Sequence, residues 1–140
     1  MEQSDANKEA VRDNPPGCCL FCSHEMKGRT FLEYGSVFAI RDNFPVSEGH
    51  FLVIPRRHTA DFFGMTREER SDAGELLAIL RERLASEDPS ITGFNVGANC
   101  GVAAGQSVMH AHIHLIPRRD GDVPDPKGGV RGVIPRKAKY

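Results

Sequence analysis

No apolar run in this chain approaches the ~20 residues that a membrane-crossing helix needs. Its N-terminus, MEQSDANKEAVRDNPPG, lacks the hydrophobic stretch of a signal peptide. Net charge is nearly absent too. The 18 Lys and Arg residues oppose 19 Asp and Glu, and the isoelectric point is about 6.6. Internal repeats and low-complexity blocks are missing. These absences leave no segment suited to a membrane and no bulk basicity for nucleic acid. They lead to the expectation of a cytoplasmic protein that works with neither. Cysteine is scarce, at four residues: Cys18, Cys19, Cys22 and Cys100. Without a secretory signal, a disulfide framework is not expected. The Cys19-x-x-Cys22 pair instead suggests a metal or a redox couple. It follows Pro15-Pro16-Gly17 rather than a strand, which favours metal.

What is present fits one domain of 140 residues with 39% hydrophobic content. The expected division is a disordered tail over 1–16, a domain over 17–120 and an extended C-terminal tail over 121–140. That last tail would pack on the domain or on a dimer partner. Strands are expected at 30–34, 36–42, 50–55, 91–99 and 108–117. A helix should start at Thr66, where Thr66 and Glu69 form a capping box. Ala73, Leu76, Leu77, Leu80 and Leu84 then recur at helical spacing, and Asp88-Pro89 ends the pattern. Strands without βα alternation indicate an α+β fold with an antiparallel sheet.

Three of the six histidines stand at every second position: His110, His112 and His114. On a strand they share one face, with Met109, Ala111, Ile113 and Leu115 on the other. Neighbours along the row are ~6.5 Å apart and the outer pair ~13 Å, so one ion cannot take all three. Such a row suits the lining of a surface. Just before it lies NCGVAAGQS, where small residues admit a ligand close to the backbone. Gln106 and Ser107 offer donors there, and free N–H groups of the loop can hold an anion. An anion beside imidazoles describes phosphorus chemistry: neutral imidazole attacks phosphorus, and imidazolium donates to its oxygens. A solvent-facing strand that happens to carry histidines, or a metal-storage or cupin-like site, are the alternatives.

His110-Ala-His112-Ile-His114-Leu-Ile resembles the motif of the histidine triad (HIT) family, His-φ-His-φ-His-φ-φ with φ apolar. GQSVMHAHIHLIPR extends the match, and EGHFLVIPRRH is similar to the family's other hallmark. The similarity runs from about Cys19 to Arg118. It implies a HIT-like α+β fold with a five-stranded antiparallel sheet, one long and one short helix, and sheets joined across a homodimer. It also implies a hydrolase that cleaves at the α-phosphate of an AMP-containing nucleotide through a covalent nucleotidyl-histidine. By position, His112 matches the nucleophile, with His110 and His114 flanking it and His114 on the phosphate. Ser107 and Gly105 match loop residues near the phosphate or leaving group, with Gln106 between them. Asn99 matches a polarising amide. Asp42 matches the ribose contact beside His50, and Phe21, Asn43 and Leu52 lie where the base is enclosed.

CLFC resembles HIT members that hold structural zinc, which implies Cys19, Cys22, His58 and His110 as a tetrahedral set. Reduced thiols without metal, or His24 as a substitute ligand, are the alternatives. The tail GGVRGVIPRKAKY is more similar to dinucleotide-cleaving members, which implies a diadenosine polyphosphate substrate. A phosphate-using phosphorylase, an adenosine phosphoramidase and a non-catalytic nucleotide-binding adaptor are the other readings. Arg118 and Arg119 could meet a distal phosphate chain or form plain surface.

Overall fold

The structure is a computed structural model that describes residues 19–140. The expected tail over 1–16, the domain's start at 17 and Cys18 lie outside the described residues. Five strands form one antiparallel sheet: β1 (Thr30–Tyr34), β2 (Val37–Arg41), β3 (Phe51–Pro55), β4 (Ile91–Gly97) and β5 (Ile113–Arg119), in the order β1-β2-β3-β5-β4. The described residues hold two α-helices, α1 (Glu25–Arg29) and the long α2 (Arg67–Glu87). Neither can cross a membrane.

β2 and β3 are continuous apolar runs because both sheet faces are covered there. On the inner face Val37, Ala39, Phe51, Val53, Ile113 and Leu115 pack against Ala73, Leu76 and Leu80 of α2. Their neighbours Phe38, Ile40, Leu52 and Ile54 point to the outer face, as strand alternation requires. There Cys19, Phe21 and Met26 cover them. The capping box is present: Thr66 Oγ1 accepts from the Glu69 amide at 3.0 Å, and Glu69 Oε1 accepts from the Thr66 amide at 2.8 Å. Asp72 of α2 clamps the β1–β2 hairpin by accepting from the Ser36 amide and hydroxyl at 2.8 and 2.7 Å.

Two elements differ from the sequence expectation. β5 starts at Ile113, not at 108, because its pairing with β3 runs only from Phe51↔Leu115 to Val53↔Ile113. Two positions on, Ala111 would meet Pro55, which has no N–H to donate, and its own amide turns to the Thr59 carbonyl instead. The C-terminal segment is not extended. It folds into two 3₁₀ turns, Gly129–Val133 and Pro135–Lys137, with Arg131 stacked 4.8 Å from the Tyr140 ring centre. The first turn lies against β4.

Candidate functional site

Although His110 and His112 precede β5, the alternation of faces continues through them. Ala111 enters the inner core, and its amide donates to the Thr59 carbonyl at 2.7 Å. The three histidines point outward but do not line one open surface. His110 is fully buried, His112 is 8% exposed and His114 is half-buried. Met109 is half-buried and takes no place in the inner core.

Hydrogen bonds assign the imidazole tautomers, because backbone groups have fixed roles. The His110 carbonyl lies 2.8 Å from His112 Nδ1, so that nitrogen carries the proton and Nε2 keeps a free lone pair. Burial lowers the pKa of His112, which holds it neutral. The Val46 amide donates to His50 Nδ1 at 3.2 Å. His50 must then carry its proton on Nε2, which lies 2.9 Å from His114 Nδ1. His114 is left with its proton on Nε2, as a neutral donor. Burial pushes His114 down to about 4, and the neighbouring His112 and His50 add to this. The Asp42 carboxylate, 3.4 Å from His50 Nε2, acts in the opposite direction on His50 and His114.

A second cluster lies behind the triad. His110 Nδ1 is 3.5 Å from Cys19 Sγ and 3.4 Å from Cys22 Sγ, and His58 Nδ1 is 3.3 Å from Cys22 Sγ. The edge of a tetrahedron with zinc–sulfur and zinc–nitrogen bonds of ~2.3 and ~2.0 Å is about 3.5 Å. Three of the six edges of the donor set have that length and all four donors lie within 4.8 Å of one another, which fits a tetrahedral metal. His110 is prepared for it, since Nε2 donates to the Pro55 carbonyl at 2.7 Å and Nδ1 turns its lone pair to the sulfurs. Asp42, His50 and His114 also converge within metal-ligand reach. That group is a poor metal site. Ligation through His50 Nε2 would move its proton to Nδ1, against the Val46 N–H.

The loop before the triad corrects one expectation. Gln106 offers no donors to a ligand. Its side chain accepts from Gly101 N–H at 2.8 Å and donates to the Ala60 and Val108 carbonyls at 2.6 and 3.0 Å. The amides of Gly105 and Gln106 are likewise engaged, to Val102 and Gly101 carbonyls. The amide of Ser107 has no acceptor among the described residues. Gly105 sits at φ +89°, and a Cβ there would face the Asn99 amide at 3.9 Å.

A HIT domain model matches residues 23–121. The chain belongs to the HIT family. An uncharacterised HIT-like protein of Mycoplasma genitalium is 36% identical over 113 residues, 77% of this chain and 78% of that one. An adenosine 5′-monophosphoramidase of Candida albicans is 32% identical, covering 73% and 71%. The crystal structure of a HIT family protein from Bacillus anthracis superposes with a TM-score of 0.67 at 35% identity, over 74% of this chain and 75% of that one.

The remaining expected site residues of this HIT protein are spread over several elements. Phe21 and Leu52 share the outer apolar cluster, where the Phe21 ring meets His112 edge-on at 5.1 Å. Asp42 stands at the end of β2 and its Oδ1 accepts from the Phe44 amide at 2.8 Å, which leaves Asn43 exposed in the turn between them. Asn99 lines a cavity of about 760 Å³ beside His50 and His114. Val96 and Ile116 form its sheet side, and Val130 and Val133 of the first C-terminal turn line it opposite. Ser107 is exposed on the loop. His24 is exposed and takes no part in the cysteine cluster. The sequence reading missed Val46 and Pro55, whose backbone groups set the tautomers of His50 and His110. Neither leaves a side-chain signal.

Proposed function

We propose that this HIT-family nucleotide hydrolase cleaves the phosphorus–nitrogen bond of a nucleoside phosphoramidate with a bulky, uncharged amine. The cavity beside His114 and Asn99 carries this reading. With a base against Phe21 and Leu52 and the α-phosphorus at His112, the leaving group is directed into that cavity. Both of its lining cations are already held. Arg118 makes a bidentate pair with Asp122 at 2.8 Å, and Arg119 reaches Asp88 at 2.8 Å. A polyphosphate chain would find valines and neutralised arginines where it needs positive charge. The Candida albicans and Saccharomyces cerevisiae relatives named adenosine 5′-monophosphoramidases support the same class.

His112 Nε2 attacks the phosphorus and forms a P–N bond as the bond to the amine breaks. The amine leaves with a proton taken from a solvent water through the Ser107 hydroxyl, which regains its own proton from that water. His114 Nε2–H and the Ser107 amide donate to the phosphoryl oxygens as charge gathers there. Water then displaces His112 and releases the nucleoside monophosphate. Asp42 is the ribose partner. Cys19, Cys22, His58 and His110 would hold zinc, whose contribution is structural: four protein ligands leave no open position. β4 is a free sheet edge, and a second copy joined along it would make the ten-stranded sheet of a homodimer.

Diadenosine polyphosphate hydrolysis is the second reading, favoured by the cavity's size, which suits a second nucleoside. Steady-state kinetics on the tryptamine phosphoramidate of AMP and on diadenosine tetraphosphate, each with and without inorganic phosphate, tests both. A kcat/KM at least tenfold higher for the phosphoramidate, with AMP as product, is expected. A preference for the tetraphosphate would overturn the assignment, and ADP formed only with phosphate would make the enzyme a phosphorylase. AMP binding without turnover of any substrate would make it an adaptor.

A further inference from the structure

We infer that the metal site and the nucleotide site are one coupled unit, joined through Phe21, so that metal binding takes part in nucleotide recognition. The inference rests on the proposed placement of the base against Phe21. Phe21 lies between the two cysteines, on a single 3₁₀ turn, Leu20–Cys22. The backbone bonds of this turn are local: Cys22 N–H to the Cys19 carbonyl and Ser23 N–H to the Leu20 carbonyl, both 3.1 Å. None of them reaches the sheet. Side chains make the attachment, namely the two sulfurs facing His110 and His58 and the buried Phe21 ring.

That ring is in contact with both functions. It stands edge-on to His112 at 5.1 Å and to His110 at 5.9 Å. His110 presents Nδ1 to the sulfurs while its carbonyl holds the Nδ1 proton of His112. A divalent ion that pulls Cys19, Cys22, His58 and His110 together therefore anchors the turn on both sides of Phe21. It also fixes the backbone that orients His112. Thiolate and imidazole donors select a borderline-soft ion such as zinc, with cobalt as a spectroscopic stand-in. A staple that only stabilised the fold would leave nucleotide affinity unchanged. A coupled site obeys reciprocity: metal and nucleotide tighten each other by the same factor.

The full chain is loaded with zinc, and its zinc affinity is measured by competition with a chromophoric chelator, with and without saturating AMP. AMP affinity is measured by calorimetry on loaded and stripped protein whose fold is checked by circular dichroism. We expect AMP to bind at least tenfold tighter to the loaded form, and zinc to bind tighter by the same factor with AMP. Phe21→Ala should keep the metal yet bring both factors to within twofold of one, and Phe21→Leu should fall between. In the cobalt form, which needs no stripping, AMP should shift the visible d–d bands of the unmutated protein and not those of Phe21→Ala. AMP binding that leaves zinc affinity and the cobalt spectrum unmoved would overturn the coupling. Coupling that survives in Phe21→Ala would remove Phe21 from it. Failure of AMP to bind the zinc-loaded protein would instead overturn the nucleotide reading itself.

Discussion

His110 and His114 stand four residues apart on the same face, and burial brings each down to about 4. Their chemistry nevertheless diverges, because their partners do. His110 gives its Nε2 proton to the Pro55 carbonyl and faces two sulfurs with Nδ1. His114 receives a proton bond from His50 on Nδ1 and is left with Nε2–H on the cavity side. Both rings carry the proton on Nε2 and differ in what faces Nδ1, sulfur for the first and His50 for the second, which suits the first to a metal and the second to donating to an anion. His112, between them, takes its tautomer from the backbone of the first. The motif supplies three identical rings, and the groups behind each ring assign its task.

Removing the middle ring has the largest expected effect. His112→Asn keeps a hydrogen-bonding side chain of similar reach but has no nucleophilic nitrogen. Turnover should fall by at least ~10³-fold, about 4 kcal/mol in the barrier. AMP affinity should change by less than about tenfold. Kinetics paired with AMP calorimetry checks this, and an AMP adduct trapped by rapid quench should map to His112. An adduct on His114 would reverse the assignment of the two sides.

The metal side comes next. At metal concentrations a thousandfold above Kd, bound metal stabilises the fold by about 4 kcal/mol. Chelation, or Cys22→Ser, should then lower Tm by on the order of 10 °C. Elemental analysis should give about one zinc per chain, with chelator-treated His114→Gln losing as much stability as the unmutated protein. A Tm unmoved by chelator would leave His110 as an ordinary core histidine.

Much of this contrast was legible in the sequence, and the part that was not has a common cause. The unbroken apolar run FLVIP marked a strand buried on both faces, alternation in HAHIHL separated the two faces of the histidine segment, and Thr66 with Glu69 located the start of α2. The family resemblance brought out the cluster of Cys19, Cys22, His58 and His110, because its members are side chains and side chains are what a sequence prints. The relay from Val46 to His50 to His114 was hidden, since it starts at a backbone amide whose direction depends on the 42–50 loop. Gln106 was misread as a ligand donor for the reverse reason. Its amide could serve a ligand or its own loop, and only the position of Gly101 and Ala60 decides. The cavity was invisible because the C-terminal turn that lines it, Gly129–Val133, carries no periodic pattern.

Acid should separate the two sides more gently. Unfolded, His114 titrates near its ordinary 6.5, and folded, near 4. Between those values the unfolded chain holds the extra proton. Stability should therefore fall as pH is lowered through that window and level off below it. Urea unfolding at pH 7 and pH 4.5, in chelator so that metal release does not contribute, should show a smaller loss for His114→Gln than for the unmutated protein. His110 titrates in both and drops out of the difference. An equal loss would mean that His114 meets solvent too freely for its burial to matter.

The smallest effect concerns His50, a positioning residue that acts through His114. Its Nε2–H holds His114 in the Nε2–H tautomer, the one the proposed reaction uses toward phosphate, although a neutral His114 can reach that tautomer unaided part of the time. His50→Phe fills the space without the donor. It should lower kcat by about tenfold, ~1.4 kcal/mol, with KM moved less. His50→Gln places an amide N–H at a similar reach and should recover most of that loss. A purely packing role predicts the opposite order, because Phe preserves buried volume better than Gln does. If Gln is the worse of the two, the relay has no catalytic weight, and the contrast between His110 and His114 reduces to the metal alone.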